Sequence, residues 1–287
     1  MFRSIRRGGV LIPATLALAL GVVVPAHAQS WATLKSSRQL WDDKPVAVNI
    51  EYGPGTLAVS PATTSMLYAM EIRYDKRYFV PVSEFDNSTR KLSLGVRSNE
   101  ESRKSINLKE GSRAAIQLTR EVPLDLKLQF GAGEAEIDLG GMRLRKLDLS
   151  TGASKTKVRF SAPNLISAED VRIQSGAAEL TVSGLGNLGA EHLDFQGGVG
   201  SATLDFSGKW NRNATASVQM GVGSITLRLP RGLGVQVNRS SFMSSFDAPG
   251  LTKRGNSYFS SDWDRAPHRL TVNVNAAFGS IDVDWID

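Results

Sequence analysis

Along most of the chain apolar and polar residues alternate with a period of two, and small residues interrupt the alternation at regular intervals. Gly131-Ala132-Gly133, Gly152-Ala153-Ser154, Gly176-Ala177-Ala178, Gly198-Val199-Gly200 and Gly221-Val222-Gly223 place their first glycines 21, 24, 22 and 23 residues apart. Gly53-Pro54-Gly55 and Ala277-Phe278-Gly279 repeat the turn toward either end. Counted from the first residue of each turn, the positions three and five before it are always apolar, as in Leu128/Leu126, Ile173/Val171 and Val274/Val272. The positions four and six after it are nearly always so, as in Ala135/Ile137, Leu180/Val182 and Ile281/Val283. Each unit therefore predicts a strand, a sharp corner and a second strand with one buried face. A fixed period in this range is the mark of a repeat architecture.

Antiparallel hairpins and stacked coils share that local pattern, and the outward residues favour stacking. Two before the turn stand Gln129, Ser150, Gln174, Gln196, Gln219 and Asn275, a polar column, mostly amides, suited to a side-chain ladder. Four before it, Lys127, Asp148, Arg172 and Asp194 alternate in sign; seven after it, Asp138 would face Arg159 and Asp205 would face Arg228. In-register coils about 4.8 Å apart turn those neighbours into attractive pairs. Glycine at the corners suits positive φ or close backbone approach between coils. A dinucleotide motif is ruled out, because each Gly-x-Gly leads into another alternating strand rather than a helix.

The expected fold is all-β: a parallel β-solenoid, β-helix-like, of about 21–24-residue coils with an irregular N-terminal β cap. Regular repeats occupy 122–238. Residues 46–121 hold the first coil and the cap, with strands predicted at 68–74, 92–96 and 116–118 and a polar loop from Ser98 to Ser105. Residues 29–45 read as a linker. In 239–287 a coil with a degenerate corner around Phe242-Met243-Ser244 is followed by an insertion and a last coil.

Residues 1–28 read as a secretory signal, with Arg6 and Arg7 before an apolar run of about 15 residues and Ala26-His27-Ala28 as the cleavage site. The run is interrupted by Pro13 and falls short of the roughly 20 residues that span a bilayer. Gly8 and Gly9 follow the arginine pair where a twin-arginine signal expects a bulky apolar residue, so general secretion is expected. Removing Arg3, Arg6 and Arg7 lowers the formal charge from +6 to +3, so the basicity is mostly the signal's. The expected location is a bacterial periplasm, with no membrane span after cleavage.

In combination, Val122-Pro123-Leu124-Asp125-Leu126, Phe130-Gly131-Ala132-Gly133-Glu134-Ala135, Leu139-Gly140-Gly141, Ala162-Pro163-Asn164, Gly198-Val199-Gly200-Ser201 and Gly221 to Pro230 resemble the toast-rack domain proteins, related to the LiaF-type cell-envelope response family. The resemblance runs from about Val46 to Asp287. It implies a β-solenoid ending in a LiaF-like segment, with no assigned catalytic residues.

The chemistry available is sparse. There is no cysteine, hence no thiolate, disulfide or cysteine-based metal site. His192 lies two residues from Asp194, but no nucleophile elbow accompanies it. With His27 in the signal, two histidines without an acidic cluster make a poor metal site, and Asp282, Asp284 and Asp287 read as a solvated strand face. Glu134 and Glu136 have the spacing of a glycosidase pair, yet Lys155 and Lys157 would lie opposite and depress the pKa of a general acid. The insertion gathers Phe242, Phe246, Tyr258, Phe259, Asp262, Trp263, Asp264, Arg265 and His268. These rings either fold over the end of the solenoid as a lid or, with Tyr258, Phe259, Asp262, Trp263 and Arg265 as the contacts, stack on a sugar or anchor a protein. No basic cluster is interleaved with aromatics, which excludes nucleic acid. The expectation is a non-catalytic, exported module for envelope structure or interaction, tied to envelope stress. It would use no cofactor or metal, and its partner would be an envelope protein or glycan, with self-association as a further mode. The rival is a carbohydrate-binding or polysaccharide-acting β-helix.

Overall fold

The computed structural model describes residues 30–99 and 111–287, with Ser241 and Phe242 described through their backbone alone. The expected signal and residues 100–105 of the polar loop lie outside the described residues. In chain order the strands are β1 (Trp31–Gln39), β2 (Val46–Pro61), β3 (Met66–Asp75), β4 (Phe79–Asp86), β5 (Lys91–Ser98), β6 (Arg113–Leu118), β7 (Leu124–Asp138), β8 (Leu144–Arg159), β9 (Asp170–Ser183), β10 (His192–Asp205), β11 (Ala214–Pro230), β12 (Gly234–Asp247), β13 (Thr252–Arg254), β14 (Ser257–Phe259) and β15 (Arg269–Ile286). No helix among the described residues is long and apolar enough to cross a membrane.

The repeat is a parallel solenoid. β2, β7, β8, β9, β10, β11, β15 and β12 stack in that order, each a long strand folded over at its glycine corner. The fold shows in the burial parity. In β7 the buried residues are even-numbered up to Phe130 and odd-numbered from Ala135, so one residue drops out of alternation and both arms face one core. Return segments close the third edge. There Asn187 bridges coils on either side, donating from Nδ2 to the Phe160 carbonyl (2.7 Å) and accepting from the Lys209 N–H at Oδ1 (2.8 Å).

The corners need glycine because successive backbones touch there. Gly279 sits at φ +131, where a Cβ would lie 1.7 Å from the Gly223 carbonyl oxygen. Where neither rung has glycine at that place, at Ser154 and Ala178, the β8–β9 ladder breaks between Thr151↔Ser175 and Lys155↔Glu179.

The outward columns behave as charge and spacing require. Gln129, Ser150, Gln174, Gln196, Gln219 and Asn275 are register partners, and Gln174 donates to Gln196 (3.2 Å). Asp138 pairs with Arg159 at 3.8 Å, Arg172 with Asp194 at 3.6 Å and Asp205 with Arg228 at 3.3 Å.

Two arrangements differ from simple succession. The stretch read as a linker holds β1, which runs antiparallel to β3; β3 pairs β6, and β6 covers the second arm of β2. The β4–β5 hairpin covers its first arm, completing the N-terminal cap. At the other end β15 slots between β11 and β12. The cause lies in the inward columns. Val218 and Val274 are buried, but their partner in β12 is Arg239, which is exposed. An interior rung would bury that guanidinium, which is prohibitive without a paired charge. β15, apolar throughout its inward column, takes the interior seat and β12 becomes the end rung.

Candidate functional site

Each face of the solenoid follows from the repeat, and its side chains set the chemistry available there. On the second arm, Glu134 and Glu136 face Lys155 and Lys157 in register, and Lys155 reaches on to Glu179 at 3.1 Å. His192 is exposed, and its neighbour Asp194 is held by Arg172 and by the Gln196 amide (3.2 Å). Asp282 accepts from the Ser280 hydroxyl (2.8 Å), and Asp287 pairs with Arg231 (3.1 Å). Among the described residues no three His, Asp or Glu side chains converge as a metal-binding group.

The insertion after β12 forms a small cap on that end rung. β14 pairs antiparallel with residues 236–238, and β13 pairs with β14. Consecutive residues of a strand point to opposite faces, and this divides the predicted aromatic cluster. Tyr258 turns inward, packs against the core and meets Phe246 at 4.8 Å between centroids. Phe259 turns outward to Trp263 in an edge-on contact at 5.3 Å. Arg254 lies over Phe259 at 5.4 Å and Arg269 over Trp263 at 5.6 Å, so each ring already has a guanidinium beside it. Asp262 accepts from the Gly232 N–H (3.2 Å) and lies 3.9 Å from Arg265, whose side chain is largely exposed. The structure thus joins Phe259, Asp262, Trp263 and Arg265 on the outer side of the lid and leaves Tyr258 on the inner side. The side chain of Phe242 lies outside the described residues.

A surface that the candidate residues did not include lies along the folded edge. The middle residue of each corner points outward, and in register these are Pro54, Ala132, Ala153, Val199, Val222, Phe278 and Met243, interrupted by Ala177 at the broken β8–β9 corner. Toward the β12 end they change from small to large and stand open to solvent: Val199 is 56% exposed, Val222 47%, Phe278 46% and Met243 62%. Four of the seven large hydrophobic residues that are exposed among the described residues fall on this one line. With rungs about 4.8 Å apart they make a strip of roughly 14 Å. Its flanks carry little charge: from Gln196 to Leu204, Gln219 to Leu227, Asn275 to Ile281 and Ser240 to Phe246 there is no Asp, Glu, Lys or Arg, although the Arg239 guanidinium reaches in over Phe246 and donates to the Ser244 carbonyl (3.1 Å). Clustered apolar exposure framed by polar walls is the usual signature of an interaction surface. The signal was present in the sequence, in the growth of the central corner residue from alanine to valine, phenylalanine and methionine.

Comparison with known proteins places these features in context. The family defined as the N-terminal domain of toast-rack proteins (DUF2154) matches residues 27–183 and 170–228. No curated protein matches the chain. Among solved structures, a candidate cell-adhesion protein from Clostridium sporogenes is similar over 89% of this chain and 100% of its own, at 19% identity and a TM-score of 0.48. Candidate adhesins from Bacteroides fragilis and Parabacteroides merdae cover 89% and 91% of this chain and 98% of their own, at 13% and 12% identity and TM-scores of 0.36 and 0.32.

Proposed function

The chain belongs to the toast-rack family, and from that premise we propose that it is an exported, non-catalytic interaction module that presents the apolar corner strip to an envelope partner. The observation that carries this reading is the run Val199, Val222, Phe278 and Met243, open on four successive rungs of a rigid stack. A β-ladder with glycine corners cannot rearrange to hide those side chains, and leaving them in water costs about 25 cal/mol per Å² of apolar surface. A partner that covers the strip recovers this free energy without remodelling the module. The charged outer walls support the same reading. Their acids and bases neutralise one another between rungs, which leaves little fixed charge to stabilise a transition state.

The test is cross-linking in the native host with a Val199→Lys/Val222→Lys variant, beside Lys157→Ala on a charged wall. The wild type and the wall variant are expected to give the same envelope adduct and the strip variant to lose it, with unchanged circular dichroism in all three. An adduct that survives in the strip variant refutes the proposal.

A further inference from the structure

The end of the molecule away from β12 holds a pocket that the corner strip does not use. It lies where the segment after β1 crosses the β4–β5 hairpin, and it encloses about 260 Å³. That is room for one ring-sized group rather than a drug-sized ligand. Phe85, half-buried, forms one wall, with the Arg38 guanidinium 4.6 Å from its centroid and the Arg90 guanidinium 5.4 Å from it. Trp41 stands beside them with 80% of its surface exposed, the most open large hydrophobic side chain among the described residues.

The two arginines are not equivalent. Arg90 is held by Asp42 (2.5 Å) and by the Lys44 carbonyl (3.3 Å), which latches residues 42–44 onto the hairpin. It is also the only described non-glycine residue with positive φ, at 57°, a conformation most side chains avoid. Its Nε is buried with no partner among the described residues. Arg38 donates only to the neutral Asn87 amide (3.0 Å) and makes no ion pair among the described residues. The pocket is therefore lined by one guanidinium without an ion pair among the described residues and by an open indole.

We infer that this pocket binds a carboxylated sugar residue of an acidic polysaccharide. The indole stacks on the apolar face of the pyranose, as exposed tryptophan does with flat amphipathic rings. Arg38 takes the carboxylate in a charge-assisted contact, and Asp42 and Asn87 provide hydrogen-bonding groups for hydroxyls. A neutral sugar keeps the stacking and loses the ionic contact. A simple anion keeps the ionic contact and loses the stacking. The site is remote from the corner strip, so it stands or falls independently of the proposed partner surface.

Calorimetric titration of the full chain with a glucuronate-containing disaccharide and with its neutral glucose counterpart tests this. The acidic sugar is expected to bind saturably and about tenfold or more tightly than the neutral one, the worth of a charge-assisted contact. Arg38→Gln is expected to abolish the preference, and Trp41→Ala to weaken binding of the acidic sugar by about tenfold or more. Both side chains lie at the surface, so the thermal midpoints of the two variants, measured in parallel, should match the wild type. Equal binding of the two sugars, no saturation with either, or a Trp41→Ala variant that titrates like the wild type would overturn the assignment.

Discussion

Substituting one glycine at a corner measures how tightly the coils are stacked. Gly223 sits at φ +139, and a Cβ there would come 1.8 Å from the carbonyl oxygen of Gly200, a residue in ladder register on both sides. Gly232 also has positive φ, +82, nearer the left-handed region, with nothing within 4 Å of its Cβ position. Alanine at either site incurs the backbone strain of a conformation L-residues avoid, about 1–3 kcal/mol. It also stiffens the unfolded chain, which returns about 0.4–1 kcal/mol in both cases. Only at Gly223 must two backbones also be pushed apart, an overpacking cost of about 1–3 kcal/mol. Gly223→Ala is therefore expected to be at least about 1–3 kcal/mol less stable than Gly232→Ala, since the unfolded-chain term cancels and the backbone strain at φ +139 is no smaller than at +82. Guanidinium unfolding followed by far-UV circular dichroism reads this as a shift in midpoint at constant slope. If the two variants unfold within about 0.5 kcal/mol of each other, the corners are not pinched and the argument from close backbone approach is wrong.

Two further perturbations probe the edges of the stack. Asn187→Ala leaves the Phe160 carbonyl and the Lys209 N–H without their bridging side chain. A loss of about 2–4 kcal/mol is expected, seen as a fall in thermal midpoint of roughly 5–12 °C for a chain of this size; a fall under about 1 °C would show that the return segments do not depend on the bridge. In the N-terminal cap, buried Asp75 accepts from Arg77 at Nε (3.2 Å), Nη2 (2.8 Å) and the backbone N–H (3.0 Å), and these bonds hold its carboxyl below the ordinary carboxylate range. A depressed folded-state value means that the stabilisation is complete above the unfolded value near pH 4 and is lost as pH falls through the folded one. Asp75→Asn should lower stability at pH 7 and narrow its gap to the wild type as the medium is acidified toward pH 2; a gap independent of pH would contradict the linkage.

Much of the stack is visible in the sequence because each rung repeats the same demand. Leu126 and Leu128, Val171 and Ile173, and Val272 and Val274 recur at fixed distances from a corner, and the opposite charges of Asp205 and Arg228 make sense only if rungs lie in register. The position of β15 is harder to read, since chain order suggests succession. Yet Arg239 in a column of valines already says that β12 must lie at an end. The aromatic insertion looks like one cluster in sequence because its residues are close along the chain. The alternation of a strand puts Tyr258 and Phe259 on opposite sides, and the local pattern cannot say which side meets the core. The pocket beside Trp41 is illegible for a different reason: Arg38 and Phe85 are brought together by pairing of β1 with β3 and of β4 with β5, and neither pairing follows the repeat.

The seating of β15 between β11 and β12 also bears on the order in which this end is assembled during synthesis. While residues 269–286 are still to be made, β11 offers its open side to β12, the wrong neighbour, and a pairing made then has to be undone before β15 can take its seat. Final assembly of this end therefore waits on residues 269–286, which supply the rung between its two neighbours.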